Sequence, residues 1–242
     1  MNKKLIKFEE AVVIGDVHGD LNKVMLFLNY KPEVHHIFTG DLVDSFHIWP
    51  KTQLEMLDLL METEVKWSSV WGNHDIHYLK DSPFRGSGFQ HELSDVYRSK
   101  LLKMKSKFSA ALILKDWIIT HAGISDTLAK HDDIEIEAKY LNEMMNCFLR
   151  KPKLCGQSEI FRVGRGRGGV GGNGGIFWFD FLREQGLSQK YKQIFGHTEI
   201  TRTYGQPHWQ NKYGIEFMCL DVTNSKDTWI YDSIEDRFLK LN

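Results

Sequence analysis

Cysteine is scarce: Cys147, Cys155 and Cys219 are the only three in 242 residues. They are too scattered for a metal knuckle, and an odd number argues against a disulfide framework, so a reducing cytoplasm is the expected location. Neither sign of charge dominates. Lys plus Arg number 31 against 32 Asp plus Glu, a formal net charge of −1, so no global pull toward nucleic acid or an anionic membrane exists. Any phosphate recognition has to be local. Long apolar runs are missing too: no stretch approaches the roughly 18 apolar residues of a membrane span. The basic start MNKKLIKFEE does not develop into a signal peptide, because Lys7, Glu9 and Glu10 interrupt its apolar core. No membrane partner is expected.

What remains is 42% hydrophobic and 26% charged, which together with the length fits one soluble domain over residues 1–242. Short β-branched runs each end in a polar cluster. Ala11 to Ile14 runs into Gly15-Asp16-Val17-His18-Gly19, Val34 to Thr39 into Gly40-Asp41, and Val70-Trp71 into Gly72-Asn73-His74-Asp75. Between them, Leu21 to Tyr30 and Gln53 to Met61 carry apolar residues at helical spacing. That alternation predicts parallel strands whose carboxyl ends share one edge, where open sheets bind ligands. After Ala110 the pattern shifts. Ala110 to Leu114 and Trp117 to Thr120 flank Lys115-Asp116 as a hairpin leading into His121-Ala122-Gly123, helices are expected over Leu93 to Lys107 and Ile134 to Leu149, and strands at Gln193 to Phe195, Ile215 to Leu220 and Thr228 to Tyr231. These later strands predict a second, more antiparallel sheet. Lys100 to Lys107 reads as a charged helix face.

Asp16, His18, Asp41, Asn73, His121 and His197 each fall just after a predicted strand. A lone Gly-Asp is ordinarily a turn and a lone buried histidine ordinarily a hydrogen-bonded core residue. Five such clusters at successive strand exits are not explained by turn chemistry. Carboxylate, imidazole and amide oxygen together suit two divalent metals of intermediate hardness, which can share a carboxylate and a hydroxide and clamp a phosphoryl group. Phosphate ester hydrolysis is the expected chemistry.

GDVHG, GDLVD, GNHD, HAG and GH, in this order, resemble the signature of the calcineurin-like metallophosphoesterases, and more narrowly their phosphoprotein phosphatase branch. The resemblance implies an α/β fold, a four-layer α/β/β/α sandwich of two mixed sheets flanked by helices. It implies Asp16 and His18 as ligands of the first metal, Asp41 as the bridge, and Asn73, His121 and His197 as ligands of the second. Manganese is favoured, with iron, zinc or nickel as alternatives. His74 matches the family's proton donor and Asp44 its carboxylate partner, a pairing that raises an imidazole pKa and fixes its tautomer.

One departure stands out. Many relatives read GDxVDRG with a phosphate-binding arginine, whereas Ser45-Phe46 follow Asp44 here. Arg162, Arg165 and Arg167 are the candidate replacements, since a guanidinium forks onto phosphate oxygens and relatives also place such an arginine between the HAG and GH blocks. They lie in a run, RVGRGRGGVGGNGG over 162–175, that holds eight of the chain's 20 glycines. A solvated surface loop is the plain alternative; an RGG-like nucleic-acid segment is weaker, because the run is internal and the chain is not basic. Phe177, Trp178 and Phe179 read as core, and His77 and Tyr78 as cleft lining or packing. GNHDIHYL with THAGI also resembles bacterial diadenosine-tetraphosphate hydrolases. The expected partner is thus a phosphorylated substrate, protein or small molecule. A nucleotide or dinucleoside-polyphosphate hydrolase is the enzymatic alternative, and a non-catalytic metal-binding scaffold the alternative from another class.

Overall fold

Alternation along the strands sets the layers. In the computed structural model, which describes residues 5–184, 186–200, 208–221 and 228–241, the chain runs β1 (Lys7–Phe8), β2 (Val12–Ile14), α1 (Leu21–Asn29), β3 (His36–Phe38), α2 (Pro50–Glu62), β4 (Trp67–Val70), α3 (Asn73–Ile76), α4 (Ser94–Lys103) and β5 (Phe108–Ser109). It continues through β6 (Leu112–Leu114), β7 (Trp117–Ile119), α5 (Ile134–Arg150), α6 (Pro152–Cys155), β8 (Lys192–Phe195), β9 (His208–Gln210), β10 (Glu216–Cys219), β11 (Thr228–Asp232) and β12 (Arg237–Leu241). One six-stranded sheet has the order β12-β11-β2-β3-β4-β5, the other β1-β6-β7-β8-β10-β9. On β2, Val13 joins Ile37, Val70, Leu112, Ile119, Ile194 and Met218 in a cluster drawn from both sheets. Its neighbours Val12 and Ile14 turn the other way and pack with Val24, Phe27 and Leu57 of α1 and α2. Two mixed sheets flanked by helices result, as the family resemblance implies.

Local chemistry starts the helices where the site needs them. Asp20 accepts the Lys23 N–H at 2.9 Å and caps α1, so the chain turns directly after Gly19. Pro50 opens α2, and the Asp133 side chain caps α5 through the N–H groups of Glu135 and Ile136.

Four expectations need correcting. The second sheet is not more antiparallel than the first: each has three parallel and two antiparallel pairings. The 228–231 strand belongs to the first sheet, where β11 pairs antiparallel with β2, Ile230 opposite Ile14. Sheet membership is a long-range property that a local pattern does not carry. The helix placed at 93–107 stops at Lys103 and tightens into a 3₁₀ turn over Lys105–Lys107, so its lysines do not share one face. Cys147 and Cys155 form a disulfide, with Cα atoms 5.9 Å apart across the α5–α6 junction, leaving Cys219 as the thiol. An odd count excludes a complete framework but not one pair, and the cysteine argument for a reducing compartment falls with it. No helix among the described residues is long and apolar enough to cross a membrane.

Candidate metal centre and its cleft

All six expected metal-ligating residues converge where the strands end. Asp16 leaves β2 buried, its Oδ1 accepting from the Thr39 hydroxyl at 3.0 Å and its Oδ2 from the His197 N–H at 2.9 Å. His18 is held through Nδ1, 3.0 Å from the Val43 carbonyl, which turns Nε2 toward Asp41 Oδ2 at 3.9 Å. His121 Nδ1 lies 2.8 Å from the Thr39 carbonyl, while its Nε2 lies 2.8 Å from Asn73 Oδ1, 3.3 Å from Asp41 Oδ2 and 3.2 Å from His197 Nδ1. Backbone carbonyls thus fix one nitrogen of His18 and of His121, the arrangement that orients histidine ligands.

The backbone bends to make this possible. His18, Asp41, Asp44 and His197 all adopt left-handed conformations, with φ of 44°, 50°, 67° and 68°. Such conformations are uncommon outside glycine and cluster at functional turns. Two motif glycines serve close approach. A Cβ on Gly72 would sit 2.1 Å from Asp41 Oδ1, and one on Gly196 would sit 1.9 Å from Asp16 Oδ1.

The donor set fits divalent metals. Ligand atoms of Asp41, His121 and His197 lie within 4.8 Å of one another, as do those of Asp16, His18 and Asp41, and Asp41 belongs to both groups. His197 Nε2 is buried with no hydrogen-bond partner, a cost that a metal bond would relieve. Burial, with Asp221 and Asp41 close by, drives the Asp16 carboxyl well up and favours its proton, a place a cation can take. Burial opposes ionisation of Asp41 as well, but the imidazoles of His121, His74 and His18 hold it well below the usual range. His197 is pushed well down by burial and by Arg167. Soft donors are absent from both groups: the buried Cys219 thiol instead faces the Gly196 and Thr198 carbonyls.

The family model for calcineurin-like phosphoesterases matches residues 11–219. The chain belongs to that family. Solved structures with a similar fold include a cold-active protein-tyrosine phosphatase of a psychrophilic Shewanella species, at TM-score 0.61 and 12% identity over 99% of this chain and 82% of that one. A candidate diadenosine tetraphosphatase aligns at TM-score 0.53 and 16% identity, covering 98% and 96%. A protein serine/threonine phosphatase from Saccharomyces cerevisiae aligns at TM-score 0.50 and 14% identity, covering 90% and 70%.

Beside the candidate metal-ligating groups this phosphoesterase carries a second polar knot. His74 Nδ1 lies 3.3 Å from Asp44 Oδ2 and the Tyr78 hydroxyl donates to Asp44 Oδ1 at 2.5 Å. His77 Nε2 approaches Oδ2 at 2.5 Å without hydrogen-bond alignment. Its Nδ1 accepts the Gly86 N–H at 3.4 Å, so the ring proton sits on the nitrogen facing Asp44. Burial opposes charge on Asp44, yet these partners keep its pKa low; burial likewise opposes charge on His74, but Asp41 and Asp44 raise its pKa. His77 and Tyr78 are therefore packed and polar at once. Asp75 ties the loops together, accepting from Leu42 N–H and Gly72 N–H at 3.0 Å each.

A cleft of about 730 Å³ opens over these groups, with His74, Phe46, Phe84 and Trp178 on its wall. The three arginines part company here. Arg167 lines the cleft, its Nη2 donating to the His197 carbonyl at 3.1 Å and the Thr198 hydroxyl at 2.8 Å while Nε pairs with buried Asp180 at 3.2 Å. All three are exposed at the residue level, but Arg162 lies 3.8 Å from Glu159 and neither it nor Arg165 lines the cleft. Nor is the glycine run a loose linker. The Glu184 carboxylate accepts from Gly166 N–H at 2.8 Å and Gly174 N–H at 2.6 Å, and Gly175 donates to the Arg162 carbonyl. Lys23, Arg85 and Asp221, which no motif marked, also line the cleft, with the Lys23 ammonium on the Asp16 carbonyl at 3.3 Å.

Proposed function

We propose that this phosphoesterase hydrolyses phosphate monoesters, on a protein or a small molecule, with two divalent metals, manganese favoured, held by Asp16, His18, Asp41, Asn73, His121 and His197. The observation that carries the reading is Asp41, shared by two ligand groups and set beside the His74–Asp44 pair in one cleft. Metals held there would stabilise phosphoryl charge and make water acidic enough to react at neutral pH. The remaining work falls to side chains of this chain. Ionised Asp44 keeps a proton on His74 Nδ1, which leaves Nε2–H as the acid for the departing oxygen. Arg167, its Nε and Nη2 braced by Asp180, Thr198 and the His197 carbonyl, leaves Nη1 and a fixed charge for non-bridging oxygens.

A second reading, hydrolysis of dinucleoside polyphosphates, draws support from the size of the cleft and its aromatic wall, since a lone phosphate leaves most of about 730 Å³ unfilled. A scaffold role has little support, because the ligand set and the His74–Asp44 pair are both complete. The test is a set of metal-reconstituted assays on phosphopeptides, nucleoside phosphates and dinucleoside polyphosphates, with chelator controls. Turnover of none of them, or turnover indifferent to chelation, would end the reading.

A further inference from the structure

Arg85 holds a guanidinium at the cleft rim that the reading above does not use. It follows Phe84 on the segment between α3 and α4 and lines the same cleft as His74. Its Nη1 donates to three carbonyls, those of His77 at 2.8 Å, Phe84 at 3.1 Å and Ser82 at 3.3 Å. Its Cζ lies 4.7 Å over the Phe89 ring, which stacks on Tyr78 with centroids 4.9 Å apart, and Tyr78 in turn donates to Asp44. One edge and one face of the guanidinium are thereby fixed. Nε and Nη2 make no hydrogen bond among the described residues, and no described carboxylate pairs with Arg85. Arg98, Arg167 and Arg237 each have such a partner. A planar donor held rigid and left without a counter-ion is suited to bind an anion with little ordering cost.

Its position says which part of the substrate that anion belongs to. Arg85 hangs from the carbonyl of His77, whose ring abuts Asp44 and through it His74. Arg167, by contrast, is tied to the His197 loop. The acid donates to the leaving oxygen, so the alcohol part of the ester lies on the His74 side, flanked by Phe84 and the 69% exposed Phe46.

We propose that Arg85 binds an anionic group carried by the leaving alcohol, so that the preferred substrates are phosphate esters whose alcohol half is itself negatively charged beside an apolar body. This rests on the phosphoesterase reading and extends it to specificity. The test compares meta-carboxyphenyl phosphate with meta-carbamoylphenyl phosphate, esters of similar shape that differ by one charge, on the metal-loaded protein. The expected preference in kcat/KM for the carboxylate is about three- to tenfold, the scale of one guanidinium–carboxylate pair at a partly exposed rim. Arg85→Gln should bring the ratio close to unity and Arg85→Lys should keep part of it, with the wild-type preference shrinking at high salt. If Arg85→Gln fails to fold, the Lys variant and the salt series decide. Equal kcat/KM for the two esters in the wild type, or a preference that survives Arg85→Gln, overturns the inference alone. Hydrolysis of neither ester would overturn the functional reading and this inference with it.

Discussion

The backbone N–H of His74 donates to Asp41 Oδ1 at 2.8 Å. The residue proposed as acid and the carboxylate proposed as metal bridge are thus one rigid unit, and any shift in one carries the other.

Asp41→Asn keeps an oxygen for that hydrogen bond and removes the charge shared by both ligand groups. The fold should persist by circular dichroism while bound Mn²⁺, measured by elemental analysis after gel filtration, falls from two ions per chain toward none. Hydrolysis should fall in step. Full metal content in the variant would remove Asp41 from the bridging role.

His74→Asn should leave metal content nearly intact and slow turnover by roughly 10²- to 10⁴-fold, the usual range for a lost general acid. The deficit should shrink with p-nitrophenyl phosphate, whose leaving group needs little protonation. Equal deficits for phenolic and alkyl esters would contradict proton donation by this residue.

Arg167→Ala should raise KM strongly, and Lys should rescue poorly because an ammonium cannot keep the braces to Asp180, Thr198 and the His197 carbonyl and also reach phosphate. Arg162→Ala and Arg165→Ala should change KM by no more than about twofold, the level expected of solvated surface residues. A large KM effect from Arg162→Ala or Arg165→Ala, with metal content unchanged, would reassign the phosphate ligand.

His35 offers a pH prediction away from the metal centre. Burial lowers its pKa from 6.5 to about 4, with His36, Lys107 and Lys66 adding repulsion, and its Nε2 sits 3.0 Å from the Ser68 hydroxyl. Between these values the unfolded chain takes up a proton that the folded chain refuses. The stability linked to neutral His35 is therefore complete above pH 6.5 and lost as pH falls toward 4. Urea midpoints of His35→Phe should decline less steeply over that window than those of the wild type. Parallel curves would show that His35 titrates normally in the fold.

The readable parts of this molecule are those where local chemistry and strand exits coincide. The runs ending at Asp16, Asp41 and Asn73 are fully buried on β2, β3 and β4, so their apolar character marks them, and the polar residue after each is conspicuous. The Lys115-Asp116 hairpin is legible for the same reason, Leu114 pairing with Trp117 across it. Edge strands are not. β1 and β12 are only half-buried, with exposed Lys7, Arg237 and Lys240 interrupting any pattern. Asp221 and Lys23 enter the cleft from a strand end and a helix flank that carry no motif, and Arg85 is distinguished only by three carbonyls and a ring brought to it by folding. Among the glycine-run arginines, side-chain reach singles out Arg167, which spacing could not.

The pairing of β11 with β2 has a consequence for biosynthesis. Ile14 and Ile230 are neighbours in the sheet but are separated by nearly the whole chain during translation. While the ribosome is still adding the later residues, β2 has β3 on one side and an unpaired edge on the other, and Asp16 and His18 hang from that half-finished strand. β11 therefore closes that edge only after His197, the last of the proposed ligands, has been made, and a ribosome stalled before residue 228 would leave a sticky edge beside a full ligand set.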